Sequence, residues 1–162
     1  MRGWLKRQKH PGWLAINLDG DQVDLVHIAR SAHGRPQISL CDSYRKEQSD
    51  AATLTRLCRE FKLDRYRTTT LLAGDEYQMH QLDAPNVSPE ELKDAVRWRV
   101  KDLIDYPLEE ATVDVLDIPV DRNAPARNHS IYAITARNHA IKTRIQPIVA
   151  AQLALEAVDI PE

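Results

Sequence analysis

The chain has 162 residues, 43% of them hydrophobic, 28% charged and 6% aromatic, which is enough for one sizeable core and too little for two ordinary domains. Apolar residues are too plentiful for disorder, 9 Pro and 5 Gly show no collagen-like period, and no run approaches the roughly 18 apolar residues of a membrane-spanning helix. Lys and Arg number 22 against 24 Asp and Glu, a formal charge of −2, so no global excess of positive charge favours nucleic acid.

The charge is uneven. Residues 1–12 carry Arg2, Lys6, Arg7 and Lys9 with no acid and read as a basic flexible tail. Trp4 and Leu5 with those charges would hold an anionic membrane only weakly. The apolar stretch that follows is broken by Asn17 and Asp19, too early for a secretion signal. Cys41 and Cys58 fall on different elements and match neither a disulfide framework nor a CxxC site, which reads as a reduced, cytoplasmic protein with buried structural thiols.

After Pro11-Gly12, residues Trp13–Leu18 predict a buried strand, Asp19-Gly20-Asp21 a turn, and Val23–Ile28 the second strand of a hairpin. Gln37–Tyr44 alternates at period two, giving three consecutive antiparallel strands. Ser49 or Asp50 caps a helix in which Leu54, Leu57, Cys58 and Phe61 share a face that lies on the sheet, and Leu63-Asp64 closes it. Thr68–Ala73 and Tyr77–Leu82 read as a pair of strands around Gly74-Asp75.

Ser88-Pro89-Glu90-Glu91 combines a capping box with proline at the first helical position and predicts a helix over about 89–105, stopped by Tyr106-Pro107. Ala111–Val120 and Ser130–Ala136 form strands around a polar loop, Asp121–Asn128. Asn138 caps a last helical pattern through Ile141, Ile145, Ile148, Val149 and Leu153, with a kink expected at Pro147. Ala157–Ile160 begins a further strand just before the sequence stops. That strand either completes this domain's own sheet or marks the N-terminal portion of a longer protein.

Enzyme signatures are sparse. The six histidines have no HExxH or paired metal spacing, and no metal site is expected. There is no GxSxG, no cysteine in a nucleophile's context, no Walker loop and no GxGxxG, so no catalytic residue is assigned. The one candidate phosphate loop, Asn17–Gln22, sits in a hairpin. Its Asp19 and Asp21 repel phosphate unless a divalent cation intervenes, and as a bare turn it needs no ligand. Lys93, Arg97 and Lys101 form a basic stripe opposite the apolar face of the capped helix, but interleaved Glu90, Glu91, Asp94 and Asp102 cancel the field nucleic acid requires.

The order of these pieces resembles the start of the type IV pilus assembly family PilM, and within it the MshI branch of MSHA pilus biogenesis. The resemblance is carried by Leu82-Asp83-Ala84-Pro85-Asn86-Val87-Ser88-Pro89-Glu90-Glu91-Leu92, Ala95–Val100, Leu103–Glu110 and Val113-Asp114, and by Ala151–Asp159 near the end. It runs from Trp13 onward, and only the proline-bounded helix segment is specific.

This resemblance implies an α/β, actin-like ATPase-type (ribonuclease H-like) fold with a small inserted α/β subdomain. Residues 13–162 would form the N-terminal half of such a protein, with the insertion at roughly 77–136. It implies a scaffold or adaptor, cytoplasmic and peripheral to the inner membrane, that binds the cytoplasmic tail of an inner-membrane pilus assembly protein. Such a protein has no transmembrane segment and no nucleic-acid partner, and a homo-oligomer is compatible with it. Partner-binding candidates are Arg97, Trp98, Lys101, Tyr106, Pro107 and Leu108.

The alternative is an actin-like ATPase whose cleft is completed by a second half, with Mg-ATP held near Asn17, Asp19, Gly20, Asp21 and Gln22. The family loop resembles Gly-Ile-Asp-Ile-Gly-Ser, whereas this chain reads Ala15-Ile16-Asn17-Leu18-Asp19-Gly20. Aspartate in place of glycine blocks the close approach of backbone amides to phosphate and adds repulsion, which favours a degenerate, structural member. A third class, a free-standing binding module with no pilus role, also fits the composition.

Overall fold

The computed structural model describes residues 10–118 and 129–161, so the tail residues 1–9 and the loop at 121–128 lie outside the described residues. The chain forms two compact units, Met1–Ala73 with Lys142–Glu162, and Gly74–Ile141. Each has its own buried cluster, where length alone suggested one core.

The first unit is a five-stranded sheet. β1 (Trp13–Asp19), β2 (Gln22–Arg30) and β3 (Pro36–Arg45) run as an antiparallel meander, and β4 (Arg67–Leu71) and β8 (Leu155–Asp159) add in parallel, giving the order β3-β2-β1-β4-β8. Only β2 runs against the other four. This is the ribonuclease H-like order of an actin-like fold, and the last strand completes the sheet at its edge beside β4.

Alternation builds the core. Leu14, Ile16 and Leu18 of β1 and Val23 and Leu25 of β2 point to one face, where Leu54 and Leu57 of α1 (Asp50–Phe61) and Ile148 of α3 (Asn138–Ala150) cover them. Each fully buried leucine there contributes about 1.5–3 kcal/mol. The Ser49 hydroxyl accepts the Ala52 N–H at 3.2 Å to start α1, and Lys62 in the left-handed region ends it.

The second unit is a three-stranded antiparallel sheet in the order β5-β7-β6, from β5 (Tyr77–Asp83), β6 (Ala111–Asp117) and β7 (Ser130–Arg137). Helix α2 (Pro89–Val100) packs Val96 and Val100 onto Val113, Ile131 and Ala133. The Glu91 carboxylate accepts the Ser88 N–H at 3.2 Å, as the capping box of the Ser-Pro-Glu-Glu signature requires, and it also accepts the Ser88 hydroxyl at 2.9 Å.

Several expectations need correction. β4 and β5 do not pair, because the passage through Gly74 carries the chain from one sheet to the other. α2 ends at Val100 and not near 105. Beyond it the Leu103 N–H turns back to the Val100 carbonyl at 2.9 Å, so the tight turn, and not Pro107, stops the helix. β6 ends at Asp117 with Ile118 outside the strand, and residues 119–120 of the expected strand lie outside the described residues.

Asn138 is the first residue of α3 and not its cap. Its side chain accepts from the Thr112 hydroxyl and donates to the Glu109 carbonyl. Cys41 is exposed and Cys58 only half-buried, so the cysteines are not buried thiols. β3 lies at a sheet edge with one face uncovered, which leaves Cys41 in solvent.

Candidate functional site

Two places carry the predicted site residues, one in each unit. In the first unit the β1–β2 hairpin turns through Gly20-Asp21, between the paired residues Asp19 and Gln22. Gly20 takes φ +44°, and a Cβ there would meet nothing, so glycine serves the turn itself.

The carbonyls around this turn are engaged by cations. Lys46 Nζ donates to the Gly20 carbonyl at 2.8 Å while pairing with Asp50 at 2.9 Å, the Lys46 N–H donates to the Asp21 carbonyl at 2.7 Å, and Arg45 Nε lies 3.6 Å from the Asp21 carboxylate. The Arg144 guanidinium donates to the Leu18 carbonyl at 2.5 Å. Asn17 stands directly opposite Asp24, and its amide donates to Asp24 Oδ2 at 3.2 Å while the Ser43 hydroxyl donates to Oδ1 at 2.6 Å.

Asn17 and Ser43 are therefore the neutral donors to Asp24 in a cross-strand network, and an acid at position 17 would face Asp24. Lys46 and Arg144, which the sequence reading missed, brace the hairpin through its own carbonyls. The signal for Lys46 was its i,i+4 spacing to Asp50; Arg144, on a helix 126 residues away from Leu18, left none. Among the described residues, no group of three His, Cys, Asp or Glu is placed to hold a metal ion.

In the second unit, the exit of α2 forms a shallow depression of about 530 Å³ lined by Trp98, Lys101, Tyr106, Pro107 and Leu108 together with Asp105 and others. Trp98 is 69% exposed, so it is not core. Tyr106 and Leu108 are 9% exposed and form the floor, where they pack into the cluster under α2. Lys101 and Pro107 are exposed at the rim. The Arg137 guanidinium stacks 4.0 Å over the Tyr106 ring and pairs with Asp105 at 3.2 Å, which fixes one wall.

Arg97 does not line this depression. Its guanidinium donates to the Leu108 carbonyl at 2.7 Å and the Ala111 carbonyl at 3.1 Å, clamping the Leu108–Glu110 turn and the start of β6 to α2. Lys93 pairs with Asp114 at 3.1 Å. Lys93 and Lys101 of the basic stripe are exposed, and Arg97 is held inward, where its guanidinium shapes the exit of α2.

No family model matches the chain, and no curated protein matches it in sequence. Its fold does match solved structures. A chain of a PilM-PilN type IV pilus biogenesis complex aligns over 92% of this chain and 47% of its own length, with a TM-score of 0.71 at 18% identity. The cytoplasmic domain of EpsL, an inner-membrane component of the type II secretion system of Vibrio cholerae, aligns over 91% of this chain and 56% of its own, with a TM-score of 0.61 at 14% identity. The chain spans about half the length of these structures, and it is similar to them in fold.

Proposed function

We propose that this chain is an adaptor in type IV pilus biogenesis, of the MSHA type, that binds the cytoplasmic tail of an inner-membrane pilus assembly protein at the α2 exit. In this reading it acts in the cytoplasm, peripheral to the inner membrane. Residues 13–162 act as the N-terminal half of an actin-like protein, and the insertion at roughly 77–136 carries the docking patch.

The observation that supports it is the match at TM-score 0.71 over 92% of the chain to a structure solved as a PilM-PilN complex. The site adds chemical sense. An aromatic ring 69% in solvent beside a floor of Tyr106 and Leu108 suits an apolar side chain of an extended peptide, and the rim cation Lys101 suits a carboxylate next to it.

The test is a fluorescence titration of labelled tail peptide from a PilN-type membrane protein of the same genome. Trp98→Ala should weaken binding at least tenfold while the melting curve stays unchanged. Equal affinity of W98A and wild type would sink the assignment of the patch, and no binding of any such tail would sink the adaptor reading.

For the ATPase alternative, the hairpin Asn17, Asp19, Gly20, Asp21 and Gln22 offers phosphate mostly carboxylates and carbonyls already bound to Lys46 and Arg144. That arrangement favours a structural hairpin over a nucleotide loop.

A further inference from the structure

The two ends of the first unit's sheet carry opposite charge. The end where β1, β3, β4 and β8 begin and β2 finishes comprises residues 10–13, 28–38, 62–67 and 152–156, with Arg30, Arg35, Lys62, Arg65 and Arg67 against only Asp64 and Glu156. The opposite, turn-bearing end, residues 18–24, 42–50 and 159–161 with Lys142 and Arg144 of α3, holds seven acids against four bases, Arg45, Lys46, Lys142 and Arg144. The Leu72 N–H donates to the Asp159 carbonyl and the Arg144 guanidinium to the Leu18 carbonyl, so these residues belong to the acidic end.

The basic end is also where apolar side chains stand in solvent. Trp13, Ile28 and Ile38 are partners in one row across β1, β2 and β3, and Ile28 is 41% and Ile38 63% exposed. Arg67 lies 4.1 Å over the Trp13 ring. The turn that presents Arg35 is held by bonds from Ser31 N–H to the Arg35 carbonyl and from Gly34 N–H to the Ser31 carbonyl, at 2.8 and 2.9 Å.

We infer that this end rests on an anionic phospholipid surface. Cations there gain from the negative surface potential, and an adjacent row of exposed aliphatic side chains gains from the headgroup boundary. A nucleic acid would use the cations but leave Ile28 and Ile38 against phosphate, which is why lipid is the better match. The contact is independent of peptide docking at α2 and would orient the first unit with its acidic end away from the bilayer.

The test is co-sedimentation of the full chain with vesicles of phosphatidylcholine alone and of phosphatidylcholine mixed with phosphatidylglycerol, at low and high salt. The protein should sediment with the mixed vesicles only, and less so at high salt. The exposed pair Arg30→Gln and Arg35→Gln should weaken binding about thirtyfold, at roughly fivefold per base near the surface. Ile38→Ser should weaken it further, and Lys142→Gln, a base at the other end, should bind like wild type. All variants should keep the wild-type melting curve. Equal or absent sedimentation with both vesicle types, an unchanged R30Q/R35Q pair, an equal loss in K142Q, or displacement from the vesicles by duplex DNA would each overturn the inference.

Discussion

Replacing Arg97 with methionine isolates the clamp that shapes the α2 exit. Methionine keeps most of the apolar stem but removes two charge-assisted bonds, to the Leu108 carbonyl at 2.7 Å and the Ala111 carbonyl at 3.1 Å. Each such bond contributes about 1.5–3 kcal/mol, and half-burial of the guanidinium reduces this, so the loss should be about 2–4 kcal/mol. A value near 3 kcal/mol raises the unfolding constant by about two decades. Lysine cannot reach both carbonyls as a fork and should recover less than half of the loss. Urea unfolding followed by circular dichroism, with Lys101→Met as the exposed control, measures this. A loss below about 0.5 kcal/mol in R97M, no larger than in K101M, would show that the guanidinium is merely solvated and that the patch is shaped by something else.

Other consequences are equally direct. Thr135 is fully buried and its hydroxyl has no hydrogen-bond partner among the described residues, so Thr135→Val should leave stability unchanged or raise it by up to about 1 kcal/mol in denaturant unfolding. Asn17→Asp sets a carboxylate opposite Asp24 and should cost about 1–2 kcal/mol at neutral pH and low salt, less at high salt; a neutral effect would mean that the cross-strand network carries no energy. Burial pushes the Cys58 thiol above its ordinary value, whereas Cys41 is exposed. Alkylation read by mass spectrometry should therefore label Cys41 first. Because the folded state holds the Cys58 proton more tightly, its contribution is fully present at neutral pH and is lost as pH rises through the alkaline range, so Cys58→Ala should flatten the alkaline decline in melting temperature.

Local chemistry was the legible part of the sequence. The Ser-Pro-Glu-Glu start of α2, the Asp-Gly hairpin and the Ser49 cap are signals within four residues, and each formed as read. Non-local facts were hidden. Leu103 and Ile104 continue the helical period, so nothing in the pattern announced the turn at Val100. The separation of β4 and β5 into different sheets depends on partners that follow more than forty residues later, β7 and β8. Arg97 reads as solvent-facing because its stem and charge have the same spacing as Lys93 and Lys101; only the folded turn at Leu108 reveals the carbonyls it holds. The exposed state of Cys41 followed from β3 being an edge, which alternation alone does not encode.

The proposed adaptor has no use for its hairpin in binding nucleotide. Calorimetric titration of Mg-ATP into the complete natural polypeptide containing these residues addresses it most directly. The account predicts no detectable heat from a sample that is folded and still binds the tail peptide. Micromolar binding that is lost when Asp19 or Gly20 is substituted would contradict it and make the hairpin a working phosphate loop.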